Sequence, residues 1–253
     1  MRVSPGFWLG GAALVALLAL LALALLLGRT VWRIAQAAEL ARLSEPLQHR
    51  PANAAVRLLI VGDSTAVGTG ASAPEYSLAG LIAARFPRVW IHNRARDGAT
   101  WADLPAQLAG DDRFDLVLVQ AGGNDVIRLR DLATVRDDVV RVTAMARRRA
   151  GTVVLMPAGN VGNAALLFPP LSWWMTQRAR QLHAAVARAA GAPGVHYVNL
   201  YARAADDPFV QRAGLYARDG LHPSDAGYQV WFDELMAQTS LGQAGGLLGP
   251  ARP

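Results

Sequence analysis

In the stretch "LLIVGDSTAVG", residues 58–68, an apolar run of strand length ends on a polar turn. The run stops at Gly62, and an acid and a hydroxyl, Asp63 and Ser64, follow at once. Sites in parallel sheets form where strands end. Two interpretations of Ser64 are therefore open: a nucleophile presented at a strand end, or a polar residue that caps the next helix.

Apolar runs of strand length alternate with helical patterns along the rest of the chain. Strands that alternate with helices predict an α/β fold with a parallel sheet covered on both faces. The polar clusters should then follow strand ends, on one edge of the sheet. We predict strands at 56–61, 89–92, 115–120, 152–156 and 195–200, and helices at 76–86, 101–109, 132–149, 173–190 and 225–239.

Composition excludes several kinds of site. The 253 residues include no cysteine, so disulfides, thiolate metal sites and a cysteine nucleophile are excluded. The net charge is +6, but the basic residues are scattered arginines. Their one dense run, at 146–150, falls where a helix should end and where cations favour the helix dipole. We therefore predict no nucleic-acid partner.

An uncharged apolar stretch of 23 residues, from Gly6 to Gly28, predicts a membrane-spanning helix. It is longer than the core of a signal peptide, which is about 7–15 residues. No convincing small-x-small cleavage site directly follows the stretch, and the candidate at 35–37 lies well beyond Arg29 and Arg33. These features favour an uncleaved anchor over a removed signal peptide.

The sequence divides into four parts: an anchor at 1–28, a juxtamembrane helix and linker at 29–54, a catalytic domain at 55–240 and a flexible tail at 241–253. We predict a bacterial inner membrane as the location. Local charge counting favours a cytoplasmic domain, but long domains often translocate regardless of such counts. The side of the membrane and the oligomeric state stay open.

A second polar cluster, "ARDGLHPSDAGY" at 217–228, contains a candidate base. Asp219 and His222 are three residues apart, so the carboxylate can accept from one ring nitrogen while the other faces a nucleophile. The remaining histidines have no such companion, and we interpret them as structural: His49, His92, His183 and His196.

Two further clusters follow predicted strands. In "NRARDGAT", Gly98 lets a backbone N–H approach a ligand closely, although it also suits an ordinary loop. In "QAGGND", Asn124 can donate a hydrogen bond to a developing oxyanion, although asparagine is also common in turns. Together the clusters supply a nucleophile, a base, an orienting acid and oxyanion donors. This combination favours Ser64 as a nucleophile.

The order Gly-Asp-Ser, Gly, Gly-x-Asn-Asp, Asp-x-x-His resembles the SGNH (GDSL-type) hydrolase family over residues 55–240. The resemblance implies a three-layer α/β/α sandwich around a five-stranded parallel sheet, and a reaction without a metal or an organic cofactor. One departure is Thr65, where the family's eponymous leucine stands. By resemblance, Ser64 is the nucleophile, His222 the general base and Asp219 its orienting acid, and the oxyanion hole comprises the backbone N–H groups of Ser64 and Gly98 and the side-chain amide of Asn124.

The expected function is that of a membrane-anchored serine esterase that hydrolyses acyl esters, such as lysophospholipid or other lipid esters. The apolar segment 157–176 is expected to line an acyl channel or to touch the membrane; alternatively, Trp173 and Trp174 begin a helix and pack into the core. Two other functions stay open: a carbohydrate O-acetyl esterase, since tryptophan also stacks on sugars, and an anchored binding protein without turnover.

Overall fold

A computed structural model of the chain describes residues 5–243 and 245–249. The strands are β1 Val56–Gly62, β2 Val89–Asn93, β3 Phe114–Gln120, β4 Ala150–Leu155 and β5 Val195–Tyr197. The helices are α1 Pro5–Leu43, α2 Ser64–Val67, α3 Leu78–Arg85, α4 Leu104–Gln107, α5 Gly123–Ile127, α6 Leu132–Arg149, α7 Leu171–Ala189, α8 Pro208–Gln211 and α9 Asp225–Gln238.

The five strands form one parallel sheet in the order β2-β1-β3-β4-β5. The chain leaves β1 to build β2 on one side and returns to build β3 on the other. The strand order therefore reverses between β1 and β3, and ligands of such sheets bind in the crevice beyond the carboxyl ends of these strands. The predicted five-stranded parallel sheet is confirmed.

Both faces of the sheet are covered by helices. Alternate residues of β1 enter two separate cores because successive side chains of a strand point to opposite faces. Leu59 and Val61 pack with residues of α4, α6 and α7, whereas Leu58 and Ile60 pack with residues of α3 and α9. The three-layer α/β/α arrangement is confirmed.

The strand and long-helix predictions agree with the structure to within a few residues, and the predicted range of α6 matches it at both ends. Three short helices, α2, α5 and α8, have no counterpart among the predictions. The predicted helix at 101–109 is a 3-10 turn, Trp101–Asp103, followed by the short α4. Such elements span about one turn and show no hydrophobic periodicity.

The apolar stretch near the N-terminus is part of one continuous helix of 39 residues, α1. The predicted boundary at residue 28 is not a helix end, and the predicted juxtamembrane helix is a continuation of the same helix. Within the described residues, α1 is the one helix long and apolar enough to cross a membrane, with a mean hydropathy of 2.5 over its best window. Residues 1–4 of the predicted anchor lie outside the described residues.

The predicted flexible tail begins inside the fold. Leu241 is buried in the core beside α3 and α9, and the N–H of Leu248 donates to its carbonyl oxygen. The packed domain therefore extends at least to Leu241, beyond the predicted boundary at residue 240. Ala244 and residues 250–253 of the predicted tail lie outside the described residues.

Candidate active site

Ser64 is the first residue of α2, directly beyond the carboxyl end of β1. The helix is capped by Asp63, whose Oδ1 accepts the backbone N–H of Thr65 at 2.9 Å. Gly62 is required between strand and helix because a Cβ there would collide with the carbonyl oxygen of Gln120. Asp63, and not Ser64, is therefore the N-cap of α2, and the hydroxyl of Ser64 is available to another partner.

That partner is His222, which lies in the loop before α9. The Nε2 of His222 is 2.9 Å from the Oγ of Ser64, and its Nδ1 is 2.5 Å from Oδ2 of Asp219. The structure thus brings together three residues that the sequence separates by up to 158 positions. With the proton on Nδ1, the ring donates to the carboxylate and accepts from the serine hydroxyl, as a general base must.

Asp219 is fully buried and accepts two backbone hydrogen bonds. Its Oδ1 accepts the backbone N–H groups of Leu221 at 3.0 Å and His222 at 3.1 Å. Burial alone raises the pKa of this carboxyl, but the hydrogen bond and charge of His222 and the two backbone donors outweigh it, so the pKa is lowered. A carboxylate held in this way can stabilise an imidazolium on His222.

Asp63 is a second buried carboxyl, behind Ser64, and it does more than cap α2. Its Oδ2 accepts the N–H of Gly122 at 3.1 Å, and its Oδ1 also accepts the hydroxyl of Thr65 at 2.7 Å. Burial raises its pKa, and the donors from Thr65 and Gly122 oppose the shift. Asp63 therefore ties the turn after β1 to the turn after β3. The preference of aspartate for N-caps was the available signal.

The predicted oxyanion donors face the same cavity as Ser64. Gly98 has a φ of +74°, and it lines the cavity together with Asn124. Within the described residues, the backbone N–H groups of Ser64 and Gly98 donate to no protein acceptor. The amide of Asn124 donates one N–H to the carbonyl oxygen of Ala99 at 3.0 Å, which leaves its other N–H available.

Two more side chains that the sequence analysis missed fix the loops of the site. Buried Asp125 accepts the N–H of Trp101 at 3.1 Å and pairs with Arg130 at 2.7 Å. Burial raises the pKa of Asp125, and Arg130 opposes the shift. Gln107 bonds both the N–H and the carbonyl oxygen of Gly62, at 2.7 and 2.9 Å. Gln107 carries no local signal, because its partner lies 45 residues away.

The cavity at the site has a volume of about 560 Å³. Of the five histidines, all within the described residues, His222 alone lines it. Leu166 and Leu167 of the apolar segment line it as well. Trp173 and Trp174 are 67% and 51% exposed, so the alternative that they pack into the core is wrong.

Comparison with known proteins identifies a family. A model of the GDSL-like Lipase/Acylhydrolase family matches residues 60–230, a range that includes all five predicted site residues. No curated protein matches the chain.

Several solved structures share the fold. LAE5, an alpha/beta hydrolase enzyme from the metagenome of Lake Arreo, Spain, is 24% identical, covers 73% of this chain and 95% of its own, and has a TM-score of 0.56. An extracellular lipase from Streptomyces rimosus is 20% identical over 73% of this chain and 100% of its own, with a TM-score of 0.54. Axe2, an acetylxylan esterase from Geobacillus stearothermophilus, is 21% identical over 74% and 94%, with a TM-score of 0.51.

Proposed function

Because the chain belongs to the GDSL-like lipase/acylhydrolase family and is an ester hydrolase, we propose that it is a membrane-anchored serine esterase that acts on acyl esters of lipids. One observation carries the proposal: the hydrogen-bonded chain Asp219–His222–Ser64 ends in a cavity with a largely apolar lining. Lysophospholipids and other lipids with one accessible ester are the proposed substrates.

In the first half of the reaction, the Oγ of Ser64 attacks the ester carbonyl carbon and its proton passes to Nε2 of His222. The carbonyl oxygen becomes an oxyanion, which the N–H groups of Ser64 and Gly98 and the amide of Asn124 stabilise. The bond between the carbonyl carbon and the alcohol oxygen then breaks. His222 returns the proton to that oxygen, and the alcohol leaves an acyl group on Ser64.

In the second half, water repeats the attack on the acyl group. His222 takes a proton from the water, a second oxyanion forms at the same donors, and the bond between the acyl carbon and Oγ breaks. The proton on His222 passes to Oγ, which restores Ser64 and releases a carboxylic acid. The chemistry requires only groups of this chain, water and the ester.

The proposed anchor is α1. The apolar side chains of the described part of the stretch are exposed, at 57% for Leu14 and 54% for Leu27, and a bilayer would cover them. Cleavage at the small-x-small sequence 35–37 would cut α1 within its last three turns. It would also remove cavity-lining residues such as Ile34. These observations support an uncleaved anchor.

Hydrolysis of p-nitrophenyl esters from acetyl to dodecanoyl by the detergent-solubilised full chain tests the proposed substrate class. We expect kcat/KM to rise by about ten-fold or more from acetyl to octanoyl, since burial of only two of the six added CH₂ groups, at about 0.8 kcal/mol each, gives roughly that factor. The Ser64→Ala variant gives the background rate for each ester.

The same series distinguishes the alternatives. Serine-dependent hydrolysis confined to the acetyl ester would contradict the lipid proposal and favour an O-acetyl esterase, which acetylated xylo-oligosaccharides would then test. Rates equal to those of Ser64→Ala at every chain length would contradict the esterase proposal and favour the anchored binding protein.

Replacement of Asn124 by alanine is expected to lower kcat by about 10²–10³-fold with little change in KM, because it removes one oxyanion donor. The loop that carries Gly98 keeps its other hydrogen bonds in this variant. The N–H of Trp101 still donates to Asp125, and Thr100 and Asp103 still form their capping box. Steady-state kinetics with p-nitrophenyl butyrate and a thermal unfolding curve would separate catalysis from stability. A loss below about three-fold would remove Asn124 from the proposed oxyanion hole.

A further inference from the structure

One wall of the active-site cavity belongs to α1, the helix that carries the proposed membrane anchor. Five residues of α1 line the cavity at spacings of three and four residues, which place them on one face of the helix. We define this cavity-lining face as Thr30, Ile34, Ala37, Ala38 and Ala41.

We propose that the cavity-lining face of α1 binds the acyl chain of a lipid ester while the ester group lies at Ser64. In this arrangement, α1 is both the anchor and part of the substrate site, and it selects for acyl chains. The proposal rests on the proposed esterase function and names a further set of specificity-determining residues for it.

Two contacts join α1 to the catalytic loop. Glu39 pairs with Arg218 at 3.0 Å, and the guanidinium of Arg33 packs against Gly220. These two contacts flank Asp219, whose carboxylate holds His222. The cavity-lining face of α1 is therefore held next to the loop that presents the catalytic base to Ser64.

The cavity-lining face begins at the end of the membrane-spanning stretch. Thr30 is two residues beyond Gly28, or about 3 Å along the helix, and Ala41 is about 16 Å further. Arg33, which packs beside the catalytic loop, is five residues beyond Gly28, or about 8 Å along the helix. A lipid that moves about 8 Å out of the bilayer along α1 can place its ester at Ser64 while the end of its acyl chain stays in the bilayer.

The start of α7, beside the cavity, also carries groups suited to a bilayer surface. Leu171, the first residue of α7, lines the cavity. Trp173 and Trp174 follow it and are exposed by 67% and 51%. Tryptophan is enriched where proteins meet the polar boundary of a membrane, because its ring is apolar and its N–H is polar. The cavity-lining face of α1 and the start of α7 therefore both support entry of the substrate from the membrane side.

The apolar part of the cavity lining favours an acyl chain over a sugar. Alanine and isoleucine on α1 line the cavity together with Leu166, Leu167 and Phe209, and the lining is largely apolar although it also includes Asp97, Asn160 and Asp207. None of the apolar side chains can bond a hydroxyl group, whereas a polar substrate needs convergent donors and acceptors along its length. The small alanines leave room that a larger side chain would fill.

The absence of native cysteine allows a direct test by cysteine protection. The test variant is Ala37→Cys, on the cavity-lining face, and the matched control is Ala35→Cys, on an exposed part of the same helix outside the cavity. Each full chain is placed in phospholipid nanodiscs and treated with a methyl or a dodecyl fluorophosphonate. Intact mass measures the extent of phosphonylation, and peptide mapping locates it at Ser64. The rate of maleimide attachment to the cysteine is then measured.

We expect the dodecyl group on Ser64 to slow modification of Ala37→Cys by about ten-fold or more, because only an accessible thiolate reacts. The methyl group should leave that rate unchanged, and neither group should protect Ala35→Cys. The variant Ala41→Cys provides the same test if Ala37→Cys does not fold.

Two outcomes would overturn the proposal while leaving the esterase function intact. In one, Ser64 carries the dodecyl group stoichiometrically and Ala37→Cys still reacts at the rate found with the methyl group. In the other, the two cysteines are protected equally. If neither reagent labels Ser64 in the folded protein, the proposed function itself fails, and this inference fails with it.

Discussion

Replacement of Ser64 by alanine is expected to lower kcat for p-nitrophenyl butyrate by a factor on the order of 10⁵. The hydroxyl of Ser64 is the group that we propose to form the bond to the acyl carbon, and without it His222 has no nucleophile to activate at 2.9 Å. The residual rate would come from binding and from the oxyanion donors alone.

A matched control separates this effect from a change in folding. Ser240→Ala makes the same chemical change at an exposed site outside the cavity, and we expect it to keep the activity of the unmodified chain. Both variants should unfold at temperatures close to that of the unmodified chain, because the Ser64 side chain contacts His222 without supporting the core. Activity within about ten-fold of normal in a folded Ser64→Ala variant would refute the proposed nucleophile.

Replacement of Asp219 by asparagine is expected to lower kcat by about 10³–10⁴-fold. An asparagine can keep the acceptor for the N–H groups of Leu221 and His222, but its NH₂ group then faces Nδ1 of His222. The ring must carry its proton on Nε2 to accept that donor. Nε2 could then no longer take the proton of Ser64.

Steady-state kinetics with p-nitrophenyl butyrate would measure this loss. The control is Asp206→Asn, which makes the same change at an exposed carboxylate that pairs with Arg203 on the surface. We expect this control to keep the kcat of the unmodified chain. The loss should appear in kcat rather than in KM, because Asp219 acts through His222. A folded Asp219→Asn variant with more than about a tenth of normal kcat would contradict the orienting role.

The sheet and its long helices follow from the sequence because their signals are local. Each strand is an apolar run of strand length, and α6 has the periodicity of an amphipathic helix over its whole range. The short helix α2 has no such periodicity, although it carries Ser64. Its boundaries depend on a cap and on the close approach of Gly62 to β3, which are contacts between segments far apart in the sequence.

The residues of the candidate site likewise divide into those with a local sequence signal and those that depend on contacts between distant segments. The five predicted residues stand in recognisable motifs, whereas Gln107 and Asp125 act on backbone groups elsewhere in the chain. The position of α1 is the clearest example of a feature that the local sequence does not predict. The repeat of Ile34, Ala37 and Ala41 indicates a packing face, but nothing local shows that the face meets the loop of His222.

An acyl-enzyme on Ser64 can be detected during turnover. The full chain would be mixed with p-nitrophenyl butyrate, quenched in acid within the first turnovers, digested with trypsin and examined by tandem mass spectrometry. Cleavage after Arg57 and Arg85 places Ser64 in the peptide 58–85. We predict one butyryl group on Ser64, which accompanies a burst of p-nitrophenolate and is absent from the Ser64→Ala variant. Turnover without an acyl group on that peptide, or with the acyl group on another residue, would contradict the account.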